Sequence, residues 1–279
     1  MSHPSDPVWR RPVPSAAELL ELENLAVSLA EETGRLIHEQ RPTDLARTSA
    51  TKSSATDPVT VMDTQAEALL RRRLHEARPD DGLLGEEGSV KASRTGLTWV
   101  VDPIDGTTNY VAGLPFFAIS VAYFIEGRAV VGVVYDPATR EMFSASRGGG
   151  AYMNGLKLPL RPPAANLSEC VAGVDFKRIP KQLGDDLATR PPYYSQRNFG
   201  CSTLEWAYVA AGRLDLLLHG GQKLWDYAAG RLILEEAGGR LCSLKHDDFD
   251  ADDLWKRSVI AAGEPGLFTA WRDWIRARR

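Results

Sequence analysis

Two aspartates at the end of an apolar segment are the residues of this sequence best suited to chemistry. Asp102 and Asp105 follow the run WVV and are separated by Pro103, so the backbone must turn between them. Such a turn can aim both carboxylates and the Ile104 carbonyl at one point. Oxygen ligands of this kind favour Mg²⁺, Mn²⁺ or Ca²⁺ over Zn²⁺. An isolated Asp-Pro turn is more often a solvated loop, so the pair needs further support.

The residues that follow could bind an anion. Gly106-Thr107-Thr108-Asn109 supplies a flexible residue and then backbone N–H groups, as an anion-binding turn or a helix start requires. Three more acidic segments could join this site: Gly85-Glu86-Glu87, Asp57-Pro58 and Trp225-Asp226. Taken singly, these are better interpreted as an exposed acidic loop, a turn and a helix N-cap.

Taken together, the segments resemble the inositol monophosphatase family of the lithium-sensitive, metal-dependent phosphatase superfamily. The resemblance covers roughly residues 50 to 263. The matching blocks stand in the family's order and spacing: LLGEEG, WVVDPIDGTTNYVAGLPFFAISVA, VVGVVYDPATREMFSASRGGGAYMNG and LWDYAAG. Several separated matches make the resemblance specific.

The resemblance implies a site for two or three Mg²⁺ ions, with Mn²⁺ as a possible replacement. Glu86, Asp102 and the Ile104 carbonyl would bind the first ion. Asp102, Asp105 and Asp226 would bind the second, and a third, weaker ion would lie near Glu86. Without cations, such clustered carboxylates would repel one another and their pKa values would rise.

The resemblance also assigns the catalytic groups. Asp57 and Thr107 would orient and deprotonate a water molecule, with Lys52 in the nearby loop. The backbone N–H groups of Gly106 and Thr107 would hold the phosphate. Hydrolysis of a phosphate monoester requires an activated water and neutralised charge on the leaving oxygen, which two divalent ions supply.

The alcohol part of the substrate is less defined. Inositol-phosphate members of the family typically carry a Glu shortly before the Trp-Asp motif, whereas this chain has His219 there. His219 is either a neutral structural residue or a substrate contact. Lys223 is close by in sequence, and Ser202 stands where an inositol-contacting Ala is common. A donor near Lys223 would suit an anionic or hydroxyl-rich group better than a cationic amine.

Composition narrows the class of protein. The chain has 279 residues, 43% of them hydrophobic, and a net charge of −4, which gives no reason to expect a nucleic-acid partner. Cys170, Cys201 and Cys242 follow no metal or redox spacing and are expected to be unpaired core residues. No run approaches the ~20 apolar residues of a membrane span, and no signal peptide is evident, so a cytoplasmic protein is expected.

The pattern of elements predicts an α+β fold. A capping box at Ser15 and Glu18 opens a first amphipathic helix, and Thr64 with Glu67 predicts the start of a second. Four strand-like segments with short connections predict an antiparallel meander: 99–104, 117–125, 129–135 and 141–145. A weakly patterned stretch at 159–192 precedes helices at about 202–212, 226–237 and 266–278. The Trp residues 206, 255, 271 and 274 are expected to pack in the core.

The resemblance refines this to a layered α/β/α/β/α sandwich that forms a homodimer. Residues 1–14 are expected to be a flexible arm, and 15–279 a single domain of two tightly joined halves with a boundary near 150–165.

The leading hypothesis is a Mg²⁺-dependent phosphomonoesterase for a small sugar or polyol phosphate, with inositol monophosphate as the first candidate. Enzymatic alternatives are fructose-1,6-bisphosphatase, histidinol-phosphatase and 3′,5′-bisphosphate nucleotidase. From another class, the chain could be a regulatory interaction protein, because some bacterial relatives are linked to RNA transcription and processing.

Overall fold

Two helices open the described part of the chain. The computed structural model describes residues 13–44, 50–51, 58–59 and 61–278, with side chains described for 13–40 and 61–278. The predicted arm at 1–14 therefore lies almost wholly outside the described residues. The Ser15 and Glu18 capping box is confirmed, because the Ser15 N–H donates to the Glu18 carboxylate at 2.8 Å, and helix α1 runs Ala16–Asp44. Helix α2 runs Val61–Ala77.

The larger sheet contains the predicted meander. Its strands pair in the order β10, β9, β8, β7, β6, β5, β3, β4, and the neighbours from β5 to β10 are all antiparallel. The bounds are β3 Gly82–Gly85, β4 Val90–Lys91, β5 Leu97–Asp105, β6 Ala118–Ile125, β7 Arg128–Asp136, β8 Glu141–Ser146, β9 Gly150–Met153 and β10 Leu156–Lys157. Strands β1 Ala50–Thr51 and β2 Pro58–Val59 form a separate pair.

A smaller mixed sheet follows, in the order β12, β11, β13, β15, β14. Its strands are β11 Val171–Asp175, β12 Ser195–Arg197, β13 Leu216–Lys223, β14 Arg240–Cys242 and β15 Lys256–Ala262. The remaining helices are α3 Thr107–Ala112, α4 Lys181–Thr189, α5 Ser202–Ala210, α6 Leu224–Glu236 and α7 Pro265–Arg276. The chain passes from the larger to the smaller sheet between 157 and 171.

Three apolar cores hold five layers together, the central one on both sides of the middle helical layer. Helices α1 and α2 pack on one face of the larger sheet through residues such as Ala26, Leu70 and Val101. Helices α5 and α6 fill the space between the two sheets, and α4 and α7 cover the outer face of the smaller one. The predicted α+β fold with α/β/α/β/α layers is thus confirmed. The three cysteines are free and buried, as expected.

Two sequence predictions, the start of α2 and the burial of Trp255, were wrong. Thr64 does not begin α2, which starts at Val61, because the Glu67 carboxylate is used elsewhere, on the turn after β3. The weakly patterned stretch at 159–192 contains β11 and α4. The apolar residues of these two elements form only short runs, which Pro and Gly interrupt. Trp206 and Trp271 are buried, but Trp255 is 53% exposed and does not pack in the core. Among the described helices, none is long and apolar enough to cross a bilayer.

Candidate active site

The two central aspartates lie where β5 leaves regular pairing. Asp102 pairs with Ser120, and Asp105 pairs with Ala118. The chain therefore advances three residues along β5 but only two along β6, so β5 has a β-bulge at Pro103 and Ile104. Proline favours this irregularity because it has no N–H for the ladder. The Asp102 Oδ1 accepts the Ile104 N–H at 3.1 Å. The bulge directs the two carboxylates away from ordinary strand geometry.

Asp105 is fixed by the second half of the chain. Its Oδ2 accepts the backbone N–H of Thr203, at the start of α5, at 2.6 Å, and lies 3.4 Å from the Cys201 Sγ. Gly106 follows in the left-handed region, with φ of 87°. A Cβ on Gly106 would lie 2.7 Å from the Phe116 carbonyl oxygen, so only glycine fits there.

Glu86 and Asp226 approach from two other elements. The Glu86 N–H donates to the Val101 carbonyl at 3.2 Å, which places the turn after β3 beside β5. Asp226 is the third residue of α6, and its Oδ2 accepts the Lys223 N–H at 2.8 Å. Asp226 is therefore an N3 residue and not the N-cap that the isolated motif indicated.

The four carboxylates share an electrostatic environment. Burial is the main cause that raises the pKa of Asp102 well above its usual range, and the charges of Glu86, Asp105 and Asp226 raise it further. Burial also raises the pKa values of Asp105 and Asp226, with additional repulsion from Glu86 on both. Groups gathered in this way are stabilised when positive charge lies among them.

The donors present suit a hard divalent cation. Among the described residues, the buried Asp102 Oδ2 has no hydrogen-bond partner, and all the predicted ligands offer oxygen. No three His, Cys, Asp or Glu side chains in the described ranges stand at the spacing of a completed metal site. The fit of these residues to a divalent cation therefore depends on their oxygen donors and on the Asp102 Oδ2, which has no hydrogen-bond partner among the described residues.

Thr107 contacts a residue that the sequence interpretation missed. Its Oγ1 lies 3.0 Å from the Asp63 Oδ1 and 3.0 Å from the Ile104 carbonyl oxygen, so its single hydrogen is shared between these two acceptors. Asp63 is on α2 and is fully buried. The predicted partner Asp57, and Lys52 with it, lie outside the described residues.

A second missed residue stands one helical turn further along α2. The buried Glu67 carboxylate accepts the N–H groups of Glu87 at 2.7 Å and Ser89 at 2.8 Å, and so holds the turn that carries Glu86. The sequence contains a signal for both acids. Asp63 and Glu67 fall on the apolar stripe of α2 that includes Leu70, where a charged residue needs a specific partner.

The predicted substrate residues lie on β13 and α5. His219 is 7% exposed; its Nδ1 accepts the Gly221 N–H at 3.1 Å, so its Nε2 carries the hydrogen donated to Asp175 at 3.0 Å. Both ring nitrogens are engaged within the protein, as expected of a structural residue. The Ser202 hydroxyl accepts a hydrogen bond from Gln222, and the exposed Lys223 Nζ lies 5.3 Å from the Trp225 ring centroid.

The layered fold, with acidic groups gathered at a bulge between its halves, defines a class of metal-dependent phosphatases. The model of the inositol monophosphatase family matches residues 18–273, and the chain belongs to that family. It is similar to a protein named Nus factor SuhB from Escherichia coli K12, with 37% identity over 253 residues that cover 88% of this chain and 92% of the relative.

Two further relatives carry different descriptions. The inositol-1-monophosphatase SuhB of Mycobacterium tuberculosis H37Rv is 42% identical over 202 residues, which cover 68% of this chain and 70% of the relative. The crystal structure of the extragenic suppressor protein suhB from Bartonella henselae superposes with a TM-score of 0.82 at 30% identity, covering 92% of this chain and 98% of that one. The family is shared, while the names divide between an enzyme and a regulatory factor.

Proposed function

We propose that this protein is a Mg²⁺-dependent phosphomonoesterase that hydrolyses a small sugar or polyol phosphate, with inositol monophosphate as the first substrate to test. The observation that carries the proposal is the Thr107 hydroxyl, 3.0 Å from both the Asp63 carboxylate and the Ile104 carbonyl, beside the Asp102 and Asp105 carboxylates. A hydroxyl between a base and an acidic cluster suits activation of water.

The proposed ligands are oxygen donors from three parts of the chain. Glu86, Asp102 and the Ile104 carbonyl would hold one ion, and Asp102, Asp105 and Asp226 a second, with a third near Glu86; Mn²⁺ is expected to substitute. Bound ions would lower the pKa of water and neutralise charge on the phosphate and the leaving oxygen. The family's metal dependence and the buried Asp102 Oδ2 support this set.

The protein's own groups would move the proton. A water that donates to the Thr107 Oγ1 can lose its proton while the threonine hydroxyl passes its own proton to Asp63, which leaves Thr107 unchanged and Asp63 protonated. The N–H groups of Gly106 and Thr107 are proposed to hold the phosphate. We assign the role first predicted for Asp57 to Asp63, while Lys52 remains a prediction.

A panel of phosphate esters assayed with Mg²⁺ tests the function: inositol 1-phosphate, fructose 1,6-bisphosphate, histidinol phosphate and adenosine 3′,5′-bisphosphate. Release of phosphate from at least one of these is expected, and inositol 1-phosphate is the first candidate. If inositol 1-phosphate is hydrolysed far more slowly than any other ester of the panel, the proposed substrate is wrong. The proposed enzyme class would still stand.

A second candidate comes from the relatives named Nus factor SuhB: a regulatory interaction protein. The acidic set argues against a pure scaffold, because clustered buried carboxylates have an energetic cost that a scaffold has no reason to retain. Purified, folded protein that releases phosphate from no ester, with or without Mg²⁺, would favour the regulatory role. A cytoplasmic homodimer, with one domain of two joined halves, completes the proposal.

A further inference from the structure

An open cavity of about 330 Å³ lies between α2 and the hairpin of β3 and β4, at one edge of the larger sheet. Its base is apolar, since Leu74 of α2, Leu83 of β3 and Trp99 of β5 line it. Val90 of β4, which is 76% exposed, adds an apolar wall on the side of the hairpin. A concave site of this size with a mainly apolar lining is typical of a site for a small organic molecule.

Basic side chains surround the apolar base of this cavity. Arg71 and His75 lie one turn apart on α2, and Arg78 directly follows the helix; all three line the cavity. Arg72 and Lys91 line it as well, so five basic residues from two elements meet there. The chemistry of the lining therefore complements an anion that has an apolar body.

One acidic residue, Asp81, lines the cavity in the described part of the chain, and its carboxylate is already engaged. It accepts hydrogen bonds at 2.8 Å from the Arg78 guanidinium, the Thr95 hydroxyl and the Tyr123 hydroxyl. The charge of Asp81 thus balances that of Arg78 and leaves the other cations of the lining without a counter-charge.

Arg71 and Arg72 are the cations most open to a ligand. Glu32 of α1 and Glu76 of α2 both bind the neighbouring Arg73 at 3.0 Å. Within the described ranges, neither Arg71 nor Arg72 forms an ion pair, and both side chains are exposed. Guanidinium groups in this state offer charge-assisted hydrogen bonds to a carboxylate, sulfonate or phosphate group.

The cavity shares a wall with the turn that carries Glu86. Ser89 lines the cavity, and its N–H donates to the Glu67 carboxylate of α2 at 2.8 Å. The Ser89 carbonyl accepts the Gly85 N–H at 2.8 Å, which closes the turn around Glu86. A ligand that bridges α2 and Ser89 would therefore also restrain Glu86.

We propose that this cavity is a regulatory site for a small organic anion, an apolar ring system that carries one acidic group, and that its occupant strengthens Mg²⁺ binding at Glu86. The ring system would lie on the apolar base, and the acidic group would bind Arg71 and Arg72. An occupant that holds Ser89 against α2 fixes the turn from which Glu86 reaches the ion, so each ligand favours the other. The anion site goes beyond the proposed hydrolytic function, whereas the coupling rests on the proposed metal site.

Two fluorescent probes test the anion site. Anilinonaphthalene sulfonate has an aromatic ring system and one anionic group, and phenylnaphthylamine has the same rings without the sulfonate. Their dissociation constants are measured by fluorescence titration for the wild type, Arg71→Gln, Arg72→Gln and the control Arg73→Gln. The control removes the same charge from the same helix but lies outside the cavity lining. Circular dichroism checks that each variant folds.

We expect the wild type to bind the sulfonate about tenfold or more tightly than the uncharged amine. Arg71→Gln and Arg72→Gln should each weaken sulfonate binding by about fivefold and leave binding of the amine unchanged, while Arg73→Gln should match the wild type. Equal affinities of the wild type for the two probes would overturn the anion site. Equal losses in Arg71→Gln and Arg73→Gln would overturn it as well.

The coupling is measured by repeating the sulfonate titration with a chelator and with saturating Mg²⁺. Mg²⁺ should tighten sulfonate binding by about fivefold, and the sulfonate should tighten Mg²⁺ binding by the same factor. Glu67→Gln should bind the sulfonate as the wild type does in chelator but lose the effect of Mg²⁺, because it releases the turn from α2. Coupling that survives in Arg71→Gln would place the sulfonate elsewhere and overturn the site.

Failure of the metal site gives a different result. Mg²⁺ that raises the Tm of the wild type but leaves its sulfonate affinity unchanged would overturn the coupling alone. If Mg²⁺ changes neither quantity, the coupling is overturned together with the proposed metal site. The comparison of Arg71→Gln with Arg73→Gln in chelator still decides whether the cavity binds the anion.

Discussion

Asp63 and Glu67 lie one turn apart on the buried face of α2 and hold opposite sides of the candidate site. Asp63 accepts the Thr107 hydroxyl at 3.0 Å, whereas Glu67 accepts the N–H groups of the turn that carries Glu86. One helix therefore positions both the proposed proton relay and a proposed metal ligand.

Asp63→Asn should lower kcat by about 100-fold or more, because the amide cannot take the proton that Thr107 passes on. Thr107→Ala should cause a similar loss and Thr107→Ser should retain most activity. The double variant should be no worse than either single one, since the two residues act as a unit. Initial rates at saturating Mg²⁺ are the measurement, and Asp57→Asn is the matched comparison. A large loss in Asp57→Asn together with an active Asp63→Asn would return the role to Asp57.

Mg²⁺ should stabilise the folded protein. At about 100 times its dissociation constant, an ion that binds only the native state adds about 2.7 kcal/mol to the free energy of unfolding. Thermal unfolding with Mg²⁺ and with a chelator measures the effect. Asp105→Asn should fold, bind Mg²⁺ more weakly, show a smaller rise in Tm and lose turnover by orders of magnitude. A wild-type Tm that is the same with Mg²⁺ and with the chelator would contradict the proposed metal site.

Glu67→Gln should weaken both the fold and the metal site. Replacing the buried carboxylate removes charge-assisted hydrogen bonds to the Glu87 and Ser89 N–H groups, which lowers the free energy of unfolding by about 2 kcal/mol. The turn that carries Glu86 loses its anchor, so a higher Mg²⁺ concentration should be needed for half-maximal activity. Glu32→Gln is the control, because its solvent-exposed pair with Arg73 should contribute little to stability. An unchanged Mg²⁺ requirement would show that Glu67 does not position the turn.

Asp250 should make stability depend on acid pH. Burial alone would raise the pKa of its carboxyl, but hydrogen bonds from Arg231 at 2.6 Å and Arg257 at 2.7 Å, with the nearby charge of Arg128, hold that pKa well below its usual range. A lowered folded-state pKa contributes stability that is fully present above the unfolded value of about 4 and is lost as the pH falls below it.

Asp250→Asn should therefore be less stable than the wild type by about 2 kcal/mol at pH 7, because three arginines lose their anion. Urea unfolding between pH 7 and pH 3 measures the difference. The difference should stay constant down to about pH 4 and then narrow, because the Asp250 carboxyl of the unfolded wild-type chain takes up a proton there while the folded one stays ionised. A difference in the free energy of unfolding that is constant from pH 7 to pH 3 would contradict the lowered pKa of Asp250.

The sequence by itself determined the α+β class, the meander and the cluster of Asp102 to Thr107. Apolar alternation and short connections fix neighbouring antiparallel strands locally, and the distinctive blocks carry the family. It could not identify the partner of Thr107 or the anchor of the Glu86 turn. Asp63 and Glu67 are acids on an apolar stripe, and their partners are 44 and 20 residues away in the chain.

Only the tertiary structure decided these long-range pairings. Packing α2 against β5 buries Asp63, and a buried carboxylate must find a donor, which is the Thr107 hydroxyl. In the same way, pairing β11 with β13 brings Asp175 to His219, whose Nε2 it binds at 3.0 Å. Spacing along the chain sets which residues share a strand or a helix face; the packing of those elements sets which side chains meet.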